Sequence, residues 1–241
     1  MNDFESIGPN WNEIPKVKAF TTLAKSETNQ FITFAGESEK SKLSKKYLEE
    51  FISPKKPIHW LKQEHNNVVL ELPNENTTEA DGAMTSETGI VCAVRTADCL
   101  PIVFCNSNGS KVGIVHAGWK GLERDIISNF IKKFKINSLN ILAWIGPGIS
   151  MKSYEVGNEV YEVFIKKDLV YKSAFEQTSK DKFHLDISKV AKIQLLSAGL
   201  VPENISGAEW DTFTDLRFHS SRRDGSNSGR MATVVWIEPQ S

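Results

Sequence analysis

The 241-residue chain lacks several features that would narrow its function at once. It has no run of about 18 apolar residues, which a membrane-spanning helix requires. Its first residues, MNDFESIGPNWNEIPKV, have no basic segment followed by an apolar one, so no secretory signal is predicted. Its formal net charge of -1 gives no electrostatic signature for nucleic acid or an anionic membrane. We expect a cytoplasmic monomer or homodimer that binds neither.

Cysteine is also scarce. The three cysteines, Cys92, Cys99 and Cys105, are odd in number and lie in one apolar region. This is a poor framework for disulfides but suits reduced thiols. At least one of the three is therefore a candidate metal ligand or nucleophile.

What is present is an alternation of apolar runs and amphipathic segments. Runs typical of buried strands cover residues 89–94, 100–105, 111–117, 139–146 and 231–239, and helical periodicity covers residues 37–52, 120–134, 158–167 and 185–200. Two further strands flank EHN at 64–66, and LPNENTTEADG reads as a surface loop ending at Gly82. The pattern predicts an α/β fold with mixed sheets, because one connection is too short for a crossover helix.

That short connection predicts a β-hairpin. Asn108-Gly109 favours a type I′ turn between two apolar flanks, since both turn positions need positive φ. A turn centred there pairs positions whose numbers sum to about 217, so Cys99 and His116 meet at the open end of the hairpin. A cysteine at a strand edge is more often a packing residue than a chemical one. His65, in the bend at 64–66, could complete a His-Cys-His set whose open fourth position is typical of catalytic zinc.

Charged residues are expected around the same end of the sheet. RTAD places Arg95 and Asp98 there, and Lys120 follows at the start of a helix, where free N–H groups favour anions. The segment SSRRDGSNSGR contains Arg222, Arg223 and Arg230, which could clamp a phosphate or form only a solvated turn. The remaining histidines are weaker candidates: His59 is expected to face solvent, His184 to precede a helix capped by Asp186, and His219 to precede the arginine segment.

Four ordered segments resemble the signature blocks of the laccase-domain family: RTADCLPIVF, VGIVHAGWKGL, WIGPGISMKSYEVGNEV and SSRRDGSNSGRMATVVWI. Members of that family were first labelled multicopper polyphenol oxidases. They are now described as purine nucleoside phosphorylases, with a bacterial branch called peptidoglycan-editing factor. The resemblance implies one α/β domain over residues 1–241, with mixed sheets flanked by helices, similar to toxin-type cysteine deamidases. It also implies zinc on His65, Cys99 and His116.

The activity implied by the resemblance is zinc-dependent phosphorolysis of adenosine, inosine and S-methyl-5'-thioadenosine, with deamination of adenosine. Asp98 or Glu64 would move the proton in deamination, and Arg95, Lys120, Arg222 and Arg223 would bind substrate or phosphate. Two positions depart from the family pattern: Glu64 adds a charge beside His65, and Leu23 stands where relatives have an arginine.

Two other chemistries remain open. Cys99 could be a nucleophile activated by His116, in a hydrolase or amidase that edits peptidoglycan precursors. Copper fits less well than zinc, because five scattered histidines cannot supply a blue-copper centre and a trinuclear cluster.

Overall fold

The structure is a computed structural model that describes residues 5–11, 14–25, 30–53, 58–73 and 77–239. Its strands are β1 (Ser6–Ile7), β2 (Val17–Thr22), β3 (His59–Trp60), β4 (Val69–Glu71), β5 (Gly82–Thr85), β6 (Val91–Thr96), β7 (Leu100–Asn106), β8 (Val112–Ala117), β9 (Ile141–Ile145), β10 (Glu155–Gly157), β11 (Phe175–Ser179), β12 (Lys182–Leu185), β13 (Ile205–Gly207) and β14 (Met231–Ile237). Its α-helices are α1 (Glu39–Ile52), α2 (Trp119–Glu123), α3 (Ile126–Phe134), α4 (Asn158–Lys167), α5 (Ile187–Ser197) and α6 (Ser221–Asp224). None of the helices in these ranges combines the length and apolar composition that a membrane crossing needs.

The described strands form three sheets, which confirms the predicted α/β class with mixed sheets. The first sheet has the order β1-β2-β14-β6-β3 and the second the order β13-β9-β7-β8-β5-β4. A small third sheet has the order β10-β12-β11. Parallel pairs, such as β3 with β6 and β4 with β5, occur beside antiparallel ones.

The two larger sheets pack against each other, and helices cover their outer faces. Side chains that alternate along each strand form these contacts. Along β7, Ile102 and Phe104 face a cluster with α3, while Val103 and Cys105 face a second cluster shared with the first sheet. The far side of the first sheet packs on Leu48 of α1. Because β7 is covered on both faces, its sequence is a continuous apolar run rather than an alternating one.

The predicted register of the β7–β8 hairpin is confirmed, but the predicted turn is wrong. Pro101 lies opposite His116, and the numbers of these two positions sum to 217. Gly109 has φ of 66°, whereas Asn108 is not among the residues with positive φ, so the turn is not type I′. Instead the Gly109 N–H donates to the Asn106 carbonyl at 2.8 Å, and the glycine occupies the left-handed position of a longer loop.

Two other expectations need correction. The segment 120–134 is not one helix, because Asp125 has φ of 61° and the chain turns between α2 and α3. The strands around His65 do not form a hairpin, since β3 belongs to the first sheet and β4 to the second. The chain also crosses between these sheets from β6 to β7 through residues 97–99. Both crossings reach the open end of the β7–β8 hairpin, and His65 and Cys99 lie within them.

Candidate metal centre and its cavity

Three side chains meet where the two sheet crossings reach the end of β8. The ligand atoms of His65, Cys99 and His116 all lie within 4.8 Å of one another. Cys99 Sγ is 3.8 Å from His65 Nε2, and the rings of the two histidines are 4.7 Å apart at an angle of 73°. Within the described ranges this is the one group of three or more His, Cys, Asp or Glu side chains with such spacing.

Asp81 orients two of these side chains, although no motif in the sequence marks it as part of the site. Its Oδ1 lies 2.7 Å from His116 Nδ1 and accepts the backbone N–H of His65 at 3.1 Å. Its Oδ2 accepts the N–H groups of Glu64 and Asn66 at 3.0 and 2.8 Å. A carboxylate on Nδ1 directs Nε2 of the histidine towards a metal and increases its basicity, as second-shell carboxylates do. Asp81 thereby fixes both the His116 ring and the bend carrying His65.

The electrostatics of the cluster favour a thiolate. Burial by itself would raise the pKa of the Cys99 thiol, but the neighbouring imidazoles of His116 and His65 lower it to about 6. Burial likewise disfavours charge on His116, yet Cys99 and Asp81 raise the pKa of its imidazole to about 9. The thiolate is the form of cysteine that binds metals or attacks as a nucleophile. The cluster can therefore act in either way.

The backbone at the centre is shaped for close approach. A Cβ atom on Gly118 would lie 2.8 Å from His65 Cδ2 and 2.9 Å from Cys99 Sγ, closer than real Cβ contacts. His65 and Asp98 have positive φ, 56° and 87° respectively, which is uncommon for residues other than glycine. Strained backbone of this kind is characteristic of functional sites.

A cavity of about 720 Å³ opens beside the three side chains, all of which line it. Its described lining contains four cationic side chains and one carboxylate; these are Arg95, Lys120, Arg222, Arg230 and Asp98. The Asp98 carboxylate already accepts two hydrogen bonds. Its Oδ1 accepts the Thr212 hydroxyl at 2.7 Å, and its Oδ2 accepts the backbone N–H of Arg222 at 2.6 Å. The cavity is therefore suited to an anionic ligand.

Lys120 and Arg222 reach the cavity from two different helices, α2 and α6. Lys120 lies on α2, which has only five residues, and its Nζ lies 5.7 Å from the centroid of the Trp119 ring. The Arg222 guanidinium donates to the Glu155 carbonyl at 2.9 Å and lies 5.1 Å from the centroid of the Tyr154 ring.

Two residues expected at the site are elsewhere. The Glu64 carboxylate is exposed and lies 3.7 Å from the Lys62 ammonium, so only its backbone touches the centre. The Arg223 guanidinium donates to the carbonyls of Thr212, Phe213 and Phe218 and pairs with its neighbour Asp224. Neither side chain is among those that line the cavity. Leu23, at the position of the family arginine, is buried with Phe218 and Met231.

The remaining histidines lie outside the cluster. His59 was expected to face solvent, but its Nε2 is buried and has no hydrogen-bond partner among the described residues. His219 is buried, and its Nε2 lies 2.7 Å from the Ile32 carbonyl. His184 lies in β12, just before the predicted N-cap Asp186, which accepts the Lys189 N–H at 2.8 Å.

Tyr154 also lines the cavity and was not identified from the sequence, whereas Arg230 belongs to the arginine segment that the sequence offered as a phosphate clamp. Burial raises the pKa of the Tyr154 phenol, so its hydroxyl remains a hydrogen-bond donor at neutral pH. The only signal for Tyr154 in the sequence was its place in the third family-like segment, which does not show that it faces the cavity.

Comparison with known proteins gives one consistent relationship. The family described as multi-copper polyphenol oxidoreductase laccase matches residues 37–238. The purine nucleoside phosphorylase YfiH of Escherichia coli is 42% identical over 187 residues, covering 76% of this chain and 75% of the relative. A purine nucleoside phosphorylase of Haemophilus influenzae is 34% identical over 247 residues, covering 97% and 100%.

Experimental structures show the same fold. A crystal structure of a Neisseria meningitidis protein superposes with a TM-score of 0.86 at 28% identity, covering 98% of this chain and 99% of that one. The structure of YlmD from Geobacillus stearothermophilus has a TM-score of 0.81 at 22% identity and covers 99% and 100%. The latter similarity concerns the fold alone.

Proposed function

The chain belongs to the multi-copper polyphenol oxidoreductase laccase family, and we propose that it is a zinc-dependent purine nucleoside phosphorylase. Its substrates would be adenosine, inosine and S-methyl-5'-thioadenosine, and it would also deaminate adenosine. The relatives named purine nucleoside phosphorylase support the reaction class. The observation that carries the proposal is the His65–Cys99–His116 cluster beside a cationic cavity.

The three side chains fit zinc. Tetrahedral zinc lies about 2.0–2.1 Å from histidine nitrogen and about 2.3 Å from cysteine sulfur, which places the two ligand atoms about 3.5 Å apart. The observed distance from Cys99 Sγ to His65 Nε2 is 3.8 Å, close to that separation, and the three ligand atoms lie within 4.8 Å of one another. Three protein ligands leave one position for water or substrate, as in catalytic zinc sites. Zinc bound here would supply Lewis-acid chemistry and lower the pKa of water to about 7.

Copper oxidase chemistry is less well supported, despite the family description. A blue-copper centre and a trinuclear cluster would need more histidines than this cluster has. His59 and His219 have buried ring nitrogens outside it, and His184 lies in β12 of the third sheet. A single copper ion is an outcome that metal analysis would reveal.

The cavity charges support phosphate as co-substrate. Phosphorolysis needs a phosphate held near C1′ of the ribose, and guanidinium groups bind phosphate with two parallel hydrogen bonds. The cations that the sequence offered as phosphate ligands and that line the cavity are Arg95, Lys120, Arg222 and Arg230. Arg223 is not part of the proposal, because its guanidinium is used by backbone carbonyls.

Deamination of adenosine needs a group that transfers a proton beside the purine. Asp98 is the carboxylate among the described cavity-lining residues, whereas Glu64 faces Lys62. We therefore assign the proton transfer to Asp98. Both activities use small metabolites, which agrees with the cytoplasmic location expected from the sequence.

The test combines metal analysis with a substrate screen. Protein purified without added zinc should contain about one zinc per chain and convert inosine to hypoxanthine only when phosphate is present, with ribose 1-phosphate as second product. Adenosine should yield adenine and, with or without phosphate, inosine. Zinc-loaded protein that turns over none of these nucleosides would refute the proposal.

A second candidate follows from the low pKa of the Cys99 thiol. The contact with His116 would suit a cysteine nucleophile in a hydrolase or amidase acting on peptidoglycan precursors. Chelation separates the two: removing the metal should abolish a zinc reaction and leave a cysteine hydrolase active.

A further inference from the structure

Two arginines on one face of the first sheet share an end of the cavity. Arg95 lies in β6, and Arg230 immediately precedes β14, the antiparallel neighbour of β6. In this pair Met231 lies opposite Thr96 and Ala232 opposite Arg95, so Arg230 continues the face that carries Arg95. Both side chains line the cavity.

Each of these side chains is held by backbone oxygens rather than by a carboxylate. Arg95 Nη2 donates to the Leu61 carbonyl at 2.8 Å, and Gln63 pairs with the Arg95 backbone through two hydrogen bonds of 2.8 Å. Arg230 Nη1 donates to the carbonyls of Ser228 and Gly229 at 3.1 and 2.7 Å.

The backbone of Arg230 is fixed as well. Its N–H donates to the Thr33 hydroxyl at 3.1 Å, and its carbonyl accepts the Phe34 N–H at 3.0 Å. Phe34 also lines the cavity. Both guanidinium groups are therefore positioned before any ligand arrives, which reduces the entropy lost on binding.

The two positive charges are close enough to affect each other. Burial is the main cause that lowers the pKa of the Arg95 guanidinium; the charge of Arg230 lowers it further, and that of Glu37 opposes the change. The Glu37 carboxylate is itself committed to Lys45 at 2.8 Å. Two guanidinium groups gathered in a cavity without a carboxylate bridging them make a site that an anion would complete.

Arg222 and Arg223 differ from this pair in their surroundings. Arg222 lies on α6 rather than beside the first sheet, and its guanidinium lies over the Tyr154 ring. Arg223 uses its guanidinium N–H groups outside the cavity, on three carbonyls and on Asp224. We propose that Arg95 and Arg230 together form the phosphate subsite, each offering its unengaged N–H groups to oxygens of a single tetrahedral oxyanion. This assignment rests on the proposed phosphorylase function and narrows the cavity cations to two, so that Arg222 and Lys120 are not required for phosphate binding.

The test measures binding of inorganic phosphate to the full-length, zinc-loaded protein by calorimetry, without nucleoside. Replacing a charge-assisted hydrogen bond usually changes affinity about tenfold or more, so Arg230→Gln should weaken phosphate binding by at least that factor. Arg217→Gln is the matched control, because Arg217 is an exposed arginine paired with Asp215. Loss of affinity in Arg222→Gln with wild-type affinity in Arg230→Gln would overturn the assignment, and so would absence of phosphate binding to the wild type.

A variant on an exposed side chain keeps the test independent of folding. Glu37→Gln removes the negative charge that interacts with Arg95 and should strengthen phosphate binding about twofold, the size of a surface charge effect. Glu39→Gln, on an exposed residue paired with Lys42, should leave the affinity unchanged. Equal affinities for the two glutamate variants would count against the subsite.

Kinetics separate this inference from the proposed function. If the wild type phosphorolyses inosine but Arg230→Gln has an unchanged KM for phosphate, the subsite is wrong and the phosphorylase stands. If the wild type turns over no nucleoside but phosphate binding still depends on Arg230, the subsite stands and the proposed function is wrong.

Discussion

The two ends of the β7–β8 hairpin differ in what their polar side chains contact. At the closed end, Asn106 Nδ2 donates to Asn108 Oδ1 and Ser110 Oγ, and its Oδ1 accepts the Lys111 N–H. These polar groups satisfy one another. At the open end, the polar atoms of Cys99 and His116 face each other, His65 and the cavity, and are fixed from behind by Asp81.

The cysteines sharpen this comparison, because Cys99 and Cys105 bracket the same strand. Burial raises the pKa of the Cys105 thiol to about 12 and has the same direction of effect at Cys92. At Cys99 the two imidazoles reverse the effect of burial. The residue type therefore says little about reactivity, and the neighbouring charges decide it.

The largest expected difference between the two ends is in thiol reactivity. In metal-free folded protein, iodoacetamide should modify Cys99 more than about 1,000-fold faster than Cys105 at pH 7, because only the thiolate reacts. The rate at Cys99 should rise with pH and reach half its plateau near pH 6, where its pKa lies. Mass spectrometry of peptides would measure both rates. Equal labelling, or protection of Cys99 without metal, would contradict the comparison, and zinc should protect Cys99.

Asp81→Asn should produce the next largest effect, because Asp81 holds His116 and the backbone of His65 in place. The amide cannot accept as strongly from His116 Nδ1 or from the N–H groups around His65, so zinc affinity should fall about 10- to 100-fold. Competition with a chromophoric chelator would measure it. Thr85 provides a control, because it is buried and ends β5, the strand that directly follows Asp81. Thr85→Val removes a hydrogen bond to the Leu72 carbonyl and should leave zinc affinity unchanged. A similar loss in both variants would show a general effect on stability.

Gly118→Ala tests whether the open end depends on close backbone approach. The added methyl group would press on both His65 and Cys99, so zinc affinity should fall about tenfold. This is the smaller end of the losses seen when groups that orient metal ligands are changed. Gly121→Ala is the matched control three residues later, because its Cβ would meet no atom closer than 3.4 Å. Unchanged zinc affinity in Gly118→Ala would mean that the ligands can move aside freely.

The contrast also explains what the sequence could predict. The β7–β8 register followed from a local turn signal and two apolar flanks, and it survived the wrong turn type because Gly109 still set the loop length. The sheet to which β3 belongs could not be predicted, since nothing in so short a strand indicates which sheet it joins. Asp81 lies in a polar segment that resembles a surface loop, and its role depends on a contact with His116, 35 residues later in the sequence. Likewise, nothing local distinguishes Arg223, whose guanidinium is engaged outside the cavity, from Arg230, which lines it.

The smallest effect is expected at the closed end, from Gly109→Ala. A left-handed backbone costs a non-glycine residue about 1–2 kcal/mol, and the new Cβ would also lie 2.6 Å from Ile14 Cγ2. Gly36→Ala has a similar φ of 59° and no atom within 4 Å of the new Cβ, so the difference between the two variants reflects the contacts that a Cβ at position 109 would make with Ile14, Lys16 and Val17. Urea unfolding would measure both losses. Because the closed end satisfies its own polar groups, zinc content and Cys99 labelling should match the wild type, and a change in either would show that the two ends are coupled through the strands.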